Sequence, residues 1–157
     1  MPTIVQFRRG TTTQLDNFTG ATGEIVFDTT LKTLKLHDGS TTGGIELLRK
    51  DLSNLVSIVS TVTNSATTLD SWSTSTYRAA KYTLSIQDNV NSQYETCDVS
   101  VVHNDSTVSL LVLGENYTGA SSRMSFTATI AAGTLTLQGI GTSADNTVKF
   151  VKTLLPV

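Results

Sequence analysis

The stretch Ile45-Glu46-Leu47-Leu48-Arg49-Lys50-Asp51-Leu52-Ser53-Asn54-Leu55-Val56-Ser57-Ile58-Val59-Ser60-Thr61-Val62-Thr63-Asn64-Ser65-Ala66-Thr67-Thr68-Leu69 decides how this chain is read. Ile45, Leu48, Leu52, Leu55, Val59, Val62, Ala66 and Leu69 recur at alternating spacings of three and four, about three and a half heptads of an a/d seam. Arg49, Lys50, Asp51, Ser53, Asn54, Ser57 and Ser60 lie between them and suit an outer face. Val56 and Ile58 fall at the flanking e and g positions, and Val occupies both a and d in the middle. That widens the apolar stripe and favours three strands over two. The competing reading is an amphipathic helix packed on the chain's own sheet, which would follow a period of about 3.6 rather than 3.5. Thr61, Thr63, Thr67 and Thr68 are poor helix formers, so the helix is expected to fray after Val62. The periodicity therefore predicts a short trimeric coiled coil over 45–70, with those eight a/d residues as its interface.

Outward from that stretch, both flanks read as strand. Before it, in 1–44, Thr3 to Phe7 alternates and is bounded by Arg8-Arg9-Gly10, Glu24 to Phe27 is a second short strand, and Leu31 to Leu36 a third. His37-Asp38-Gly39 supplies turn chemistry. So small a unit buries little apolar surface alone and is expected to need neighbours. After it, in 71–157, a Ser/Thr linker leads into Lys81 to Gln87, Tyr94 to His103, Thr107 to Leu113, Ser125 to Ile130, Thr134 to Ile140 and Asn146 to Leu155. Turns bearing Gly, Asn or Asp separate these runs, which predicts an antiparallel sandwich or barrel. The fold class is thus mainly β, joined through one helix.

Composition narrows the function. Ser and Thr make up about three residues in ten, and Thr suits the solvent side of strands. Charged residues are 15% of the chain and the net charge is -2, too little basic field for a nucleic-acid partner. One cysteine, Cys97, excludes an intrachain disulfide and a cysteine metal cluster. No apolar run approaches the roughly 20 residues of a bilayer span, and Met1-Pro2-Thr3 opens no signal peptide. The expectation is a chain made in the cytoplasm and used as a soluble chain or passed directly into an assembly, without membrane insertion.

Val5-Gln6-Phe7-Arg8-Arg9-Gly10-Thr11, then Gly23-Glu24-Ile25 with Phe27-Asp28-Thr29, then Leu34-Lys35-Leu36-His37-Asp38-Gly39 resembles the N-terminal module of phage tail-fibre and receptor-binding proteins of the major tropism determinant type. In that family three chains intertwine as a β-prism, so the resemblance, over about the first 45 residues, implies a homotrimer. Tyr77-Arg78-Ala79-Ala80-Lys81-Tyr82, Val101-Val102-His103-Asn104 and Val148-Lys149-Phe150-Val151-Lys152-Thr153 resemble a β-domain of cyanophage structural proteins found on heads, necks and tails.

No catalytic constellation stands out. His37 and His103 are the two histidines, and no Gly-x-Ser-x-Gly elbow accompanies them. His37 is expected to stabilise a turn or sit at the surface; three copies meeting at a threefold axis around a metal ion is the competing idea. Glu95 with Asp98, or Asp105 with Glu115, could be proposed as a glycosidase pair, but acids in turns and on strand faces are usually solvated. Gly114 to Gly119 and Gly139 to Gly141 read as loops, and neither precedes a helix to cradle a phosphate. Adjacent residues on a strand point to opposite faces, so one of Arg8 and Arg9 is expected to pair with Asp28 or Asp38 between subunits, or the two to dock on an anionic neighbour. No cofactor and no metal site is expected. The resemblance, together with the missing catalytic constellation, implies a non-enzymatic virion protein, a homotrimeric fibre, spike or decoration contacting other capsid, neck or tail proteins. The alternatives are a fibre tip that binds a host receptor or glycan through Trp72, Tyr77, Tyr94 or Tyr117, and, behind it, a polysaccharide depolymerase.

Overall fold

The computed structural model describes residues 7–47 and 55–157, in two compact units divided between Asn54 and Leu55. The N-terminal unit is a four-stranded sheet in the order β1 (Arg8–Gly10), β2 (Ile25–Asp28), β3 (Thr33–Leu36), β4 (Ile45–Glu46), with β1 parallel to β2 and the other pairs antiparallel. Arg8-Arg9-Gly10, expected to bound a strand, is itself the strand; Thr3 to Gln6 lies outside the described residues. Between β1 and β2 sits a short helix, α1 (Thr12–Leu15). Thr11 caps it by accepting from the Gln14 amide, and the Gln14 side chain accepts from the Thr11 amide. This reciprocal capping box satisfies two otherwise orphaned donors.

The sheet is polar on its buried side. Val26 and Leu15 are buried there, together with Asp28, Thr33, Lys35 and His37. On β3, Leu34 and Leu36 share the opposite face, where Leu36 is 38% exposed.

The C-terminal unit is a two-layer sandwich. One layer has the order β10 (Met124–Ala131), β11 (Thr134–Gly141), β6 (Thr67–Ser73). The other has the order β5 (Ser57–Val62), β12 (Asn146–Pro156), β7 (Tyr77–Asp88), β8 (Gln93–His103), β9 (Val108–Tyr117). The six expected runs after Ser71 are all strands. They form two open layers, which corrects the barrel alternative. The β10–β11 hairpin turns on Ala132 and Gly133, both at positive φ, as a two-residue type I′ turn requires. Gly114 lies inside β9 rather than in a loop: at φ 64 it marks a bulge, where β9 spends one more residue than β8.

The coiled-coil helix is corrected wherever its positions are described. Ile45 lies in β4, Val59 and Val62 in β5 and Leu69 in β6, while Leu55 and Ala66 are exposed beside strands. Leu48 and Leu52 lie outside the described residues. The physical reason is propensity. From Val56 to Thr63 every residue is β-branched or serine, and at about 0.5 kcal/mol each relative to Ala these choices disfavour helix by roughly 4 kcal/mol. The spacing of three has its own cause, two β-bulges. In β5, Val62 opposes Asn146 and Val59 opposes Val148, so β5 uses an extra residue, with Thr61 at φ 70. In β6, Asp70 opposes Leu137 and Thr68 opposes Gln138, with Leu69 as the extra residue. A regular strand would point residues three apart to opposite faces; each bulge returns them to the same one. Val59 packs on the core beside Val62, and Leu69 beside Trp72.

That core fills the space between the layers with Tyr82, Leu84 and Ile86 of β7, Val99 and Val101 of β8, Leu135 and Leu137 of β11, and Val148 and Phe150 of β12. Such burial contributes about 1.5 to 3 kcal/mol for each large aliphatic or aromatic side chain. Polar ties cross it. Asp70 of one layer accepts from Tyr82 Oη at 2.9 Å and from Lys152 Nζ at 2.8 Å of the other. Asn146, fully buried, donates to the carbonyls of Val62 and Ser143, so the bulged end of β5 is held to β12 by a side chain as well as by backbone.

Cys97 is enclosed in this core. Burial, followed by the negative charges of Glu95, Glu115 and Asp98, pushes its thiol up to about 12. A colorimetric thiol reagent at neutral pH is expected to label none of the native chain within minutes and all of it in denaturant; rapid labelling of native protein would contradict the burial.

Candidate functional site

The buried face of the N-terminal sheet carries a closed ionic cluster. Asp28 accepts from the Thr12 hydroxyl at 2.9 Å and from the amides of Thr30 and Leu31 at 2.9 and 3.0 Å. Lys35 Nζ lies 3.7 Å from Asp28 and 3.1 Å from Asp16. Burial raises the Asp28 carboxyl, but those hydrogen bonds and the Lys35 charge outweigh it and hold the group below its usual 3.8. Asp38 is likewise lowered, by the amide and hydroxyl of Thr41 and the amide of Ser40. Both acids are thus engaged within their own chain. Arg8 pairs with Glu24 at 3.1 Å and stacks 4.7 Å over Phe18. Arg9, on the other face of β1, is exposed and has no side-chain partner among the described residues. Within one chain, therefore, neither arginine meets Asp28 or Asp38.

His37 is 1% exposed, which corrects a surface position. Its Nδ1 accepts from the Gly20 amide at 3.0 Å, its Nε2 has no partner, and its ring meets Phe18 edge-on at 5.2 Å. Gly20 and Gly44 close on the ring: a Cβ on either would lie 2.8 Å from it, and Gly44 is at φ +67. Among the described residues no group of three or more His, Cys, Asp or Glu is placed to hold a metal ion.

The opposite face of the same sheet is apolar and open. Cross-strand pairing aligns Ile25, Leu36 and Ile45 in one row, and these are 36%, 38% and 50% exposed. The next row pairs Phe27 with Leu34, and the exposed Leu47 adjoins it through an amide hydrogen bond to the Leu34 carbonyl. Contiguous exposed apolar rows are the kind of surface that partners commonly cover.

In the C-terminal unit the acids considered for catalysis are kept apart. Glu95 faces the interior, where it accepts from the Ser122 hydroxyl and the Arg123 amide, whereas Asp98 faces outward against Thr83 and Lys81. Asp105 pairs with Arg78 at 3.1 Å in the β8–β9 turn, and Glu115 lies towards the far end of β9. His103 is buried, its Nδ1 accepting from the Asp105 amide and its Nε2 donating to the Tyr77 carbonyl at 2.8 Å. Trp72 is buried, Tyr77 half-buried, and Tyr94 and Tyr117 exposed. No helix among the described residues is long and apolar enough to cross a membrane.

The family match falls in the N-terminal unit, and the solved structures align over a larger part of the chain. Residues 5–41 match the family model described as the major tropism determinant N-terminal domain. The tail fiber receptor-binding protein of Bordetella phage BPP-1 is 56% identical over 52 residues, which are 33% of this chain and 14% of that protein. Among solved structures, the Major Tropism Determinant M1 variant aligns at 27% identity and a TM-score of 0.30, covering 79% of this chain and 28% of that one. The tailspike protein of Acinetobacter baumannii phage AM24 aligns at 10% identity and a TM-score of 0.43, covering 65% of this chain and 26% of that one. Residues 5–41 are therefore similar in sequence to a major tropism determinant N-terminal domain, and this chain shares only 14% of the length of the Bordetella phage protein.

Two expectations follow. A carboxylate held low in the folded state contributes its stability above the unfolded pKa and loses it as pH falls through the folded value. Thermal melts should thus be flat from about pH 5 to 8 and fall below about pH 4, with Asp28→Asn melting lower at pH 7 and depending less on acid; equal melting at pH 3 and 7 would refute the cluster's role. Gly44→Ala should cost about 1 to 3 kcal/mol in urea denaturation, from strained φ and contact with His37.

Proposed function

We propose that this chain is a structural component of a phage tail, a homotrimer in which three N-terminal units close around their apolar sheet faces in the manner of a β-prism. The observation that carries the reading is the open row Ile25, Leu36 and Ile45 on a sheet whose other, buried face carries Asp28, Thr33 and Lys35. Burying those side chains between copies supplies apolar area that so small a unit lacks by itself. The sequence similarity over the same unit supplies the phage-tail context. Arg9, exposed on the same side of the sheet as Phe27, is available for an anionic neighbour in the particle. The role is scaffolding and docking: Asp28, Asp38, Glu95, His37 and His103 are engaged in turns and buried contacts, and among the described residues neither Glu95 with Asp98 nor Asp105 with Glu115 converges on a cleft. Receptor binding, named for the Bordetella phage protein, stays with that protein, since the shared segment is 14% of it.

Mass photometry of the full chain is expected to give three times the 16.8 kDa subunit mass, and a stable monomer at micromolar concentration would overturn the reading. Leu36→Asp is expected to lower trimer occupancy at least tenfold while leaving the circular dichroism unchanged, because a charge buried without a partner is costly.

A further inference from the structure

The two outer faces of the sandwich differ in chemistry. The three-stranded layer shows the solvent Ser71, Ser73, Ser125, Thr127, Thr129 and Gln138. The five-stranded layer shows Ile58, Val102, Leu111, Leu113, Val151 and Leu155, each between 40% and 61% exposed. These six lie on the face opposite the core: their strand neighbours Val59, Val101, Leu110, Val112, Phe150 and Leu154 are the ones that pack inward. The five-stranded face thus carries two apolar groups, one on β5 and β12 and one on β9 with Val102, separated by the outward polar residues Lys81, Thr83 and Ser85 of β7 and Thr96 and Ser100 of β8.

This face is also shaped. A pocket of about 330 Å³ opens between β5, β12, β7 and β8, walled by Val56, Val151 and Lys149 and floored by Thr83, Ser85 and Thr96. On the other half of the sheet, edge strand β9 presents Leu111 and Leu113 as adjacent outward knobs, 55% and 49% exposed. Lys149 at the pocket wall is exposed and has no partner among the described residues, whereas Asp98, opposite Leu113 across the strands and already 3.7 Å from Lys81 Nζ in its own chain, puts a carboxylate beside the knobs.

The geometry points to a second copy of this chain as the occupant of this face: the Leu111–Leu113 edge of one copy enters the Val56–Val151 pocket of the next, bringing Asp98 towards Lys149. Three features support that occupant over an unrelated partner. Knob and pocket are both apolar and both belong to one surface, and the charges beside them are opposite in sign. Five strands about 4.8 Å apart and about ten residues long span roughly 800 Å², so each half of the face offers about 400 Å² to one neighbour, about half of what a partner commonly contributes to a stable interface, and the seam acts together with the one between the N-terminal units. Knob and pocket occupy different halves of the sheet, so the contact is heterologous, and a heterologous contact that closes forms a ring. The inference rests on the homotrimeric reading above and adds to it a second seam, contributed by the sandwich.

The test uses the full chain carrying Leu113→Cys and Val151→Cys together. Within one copy these positions are three strand spacings apart, about 14 Å, beyond the reach of a disulfide, and native Cys97 is buried. Oxidation is expected to give covalent dimers and trimers in denaturing gels, and Thr127→Cys with Thr136→Cys on the other layer is expected to give no covalent trimer. Leu111→Ser with Leu113→Ser, both at exposed positions, is expected to raise the concentration for half-assembly at least tenfold. A wild-type trimer with no ladder and no shift would overturn this seam and leave the trimer standing. A wild-type monomer would overturn both.

Discussion

The sandwich depends on two places where a strand takes one residue too many. At Thr61 in β5 and at Leu69 in β6 the extra residue turns apolar side chains three apart onto one side, so that Val59 with Val62, and Leu69 with Trp72, all reach the core. Without the first bulge, Val59 and Val62 would face opposite ways and the edge of the five-stranded layer would contribute one side chain instead of two. Asn146 fixes that bulge from below by donating to the Val62 carbonyl, and the Gly141 amide continues the connection to Thr63. Asp70, between the two bulges in sequence, then ties the layers together through Tyr82 and Lys152.

The N-terminal unit solves a different problem. Its sheet is too small for an apolar core of ordinary size, and its buried side is organised by hydrogen bonds and charge. Lys35 is nearly inaccessible yet lies between Asp28 and Asp16, and Asp28 in turn receives three local donors. A buried charge is tolerable only when paired and fully hydrogen-bonded, and the satisfied Asp28 carboxylate meets that condition. The glycines around His37 belong to the same economy of space, since the ring fits only where no Cβ stands.

The strands after Ser71 were legible because alternation, turn residues and length agreed, and the turns at Asn104-Asp105 and Ala132-Gly133 fell where the chemistry placed them. The segment from Leu55 to Leu69 was misread because a bulged strand and a heptad share the same spacing of three. The discriminating signal was present: eight successive β-branched or serine residues from Val56 to Thr63. Periodicity outweighed propensity in the reading, whereas in the chain local preference and sheet pairing agreed. Helix α1 was missed although Thr11-Thr12-Thr13-Gln14 is a capping-box sequence, since so short a helix has no periodicity to detect. The burial of Lys35 and the exposure of Leu36 could not be read from alternation, which says which residues share a face and not which face is covered.

In the N-terminal unit, shape and valence are written on different sides of one sheet. The polar side fixes how the chain bends, through Asp28, Lys35 and His37. The apolar side leaves Ile25, Leu36 and Ile45 open to the surroundings. Residues on one side can therefore drift with little effect on the other.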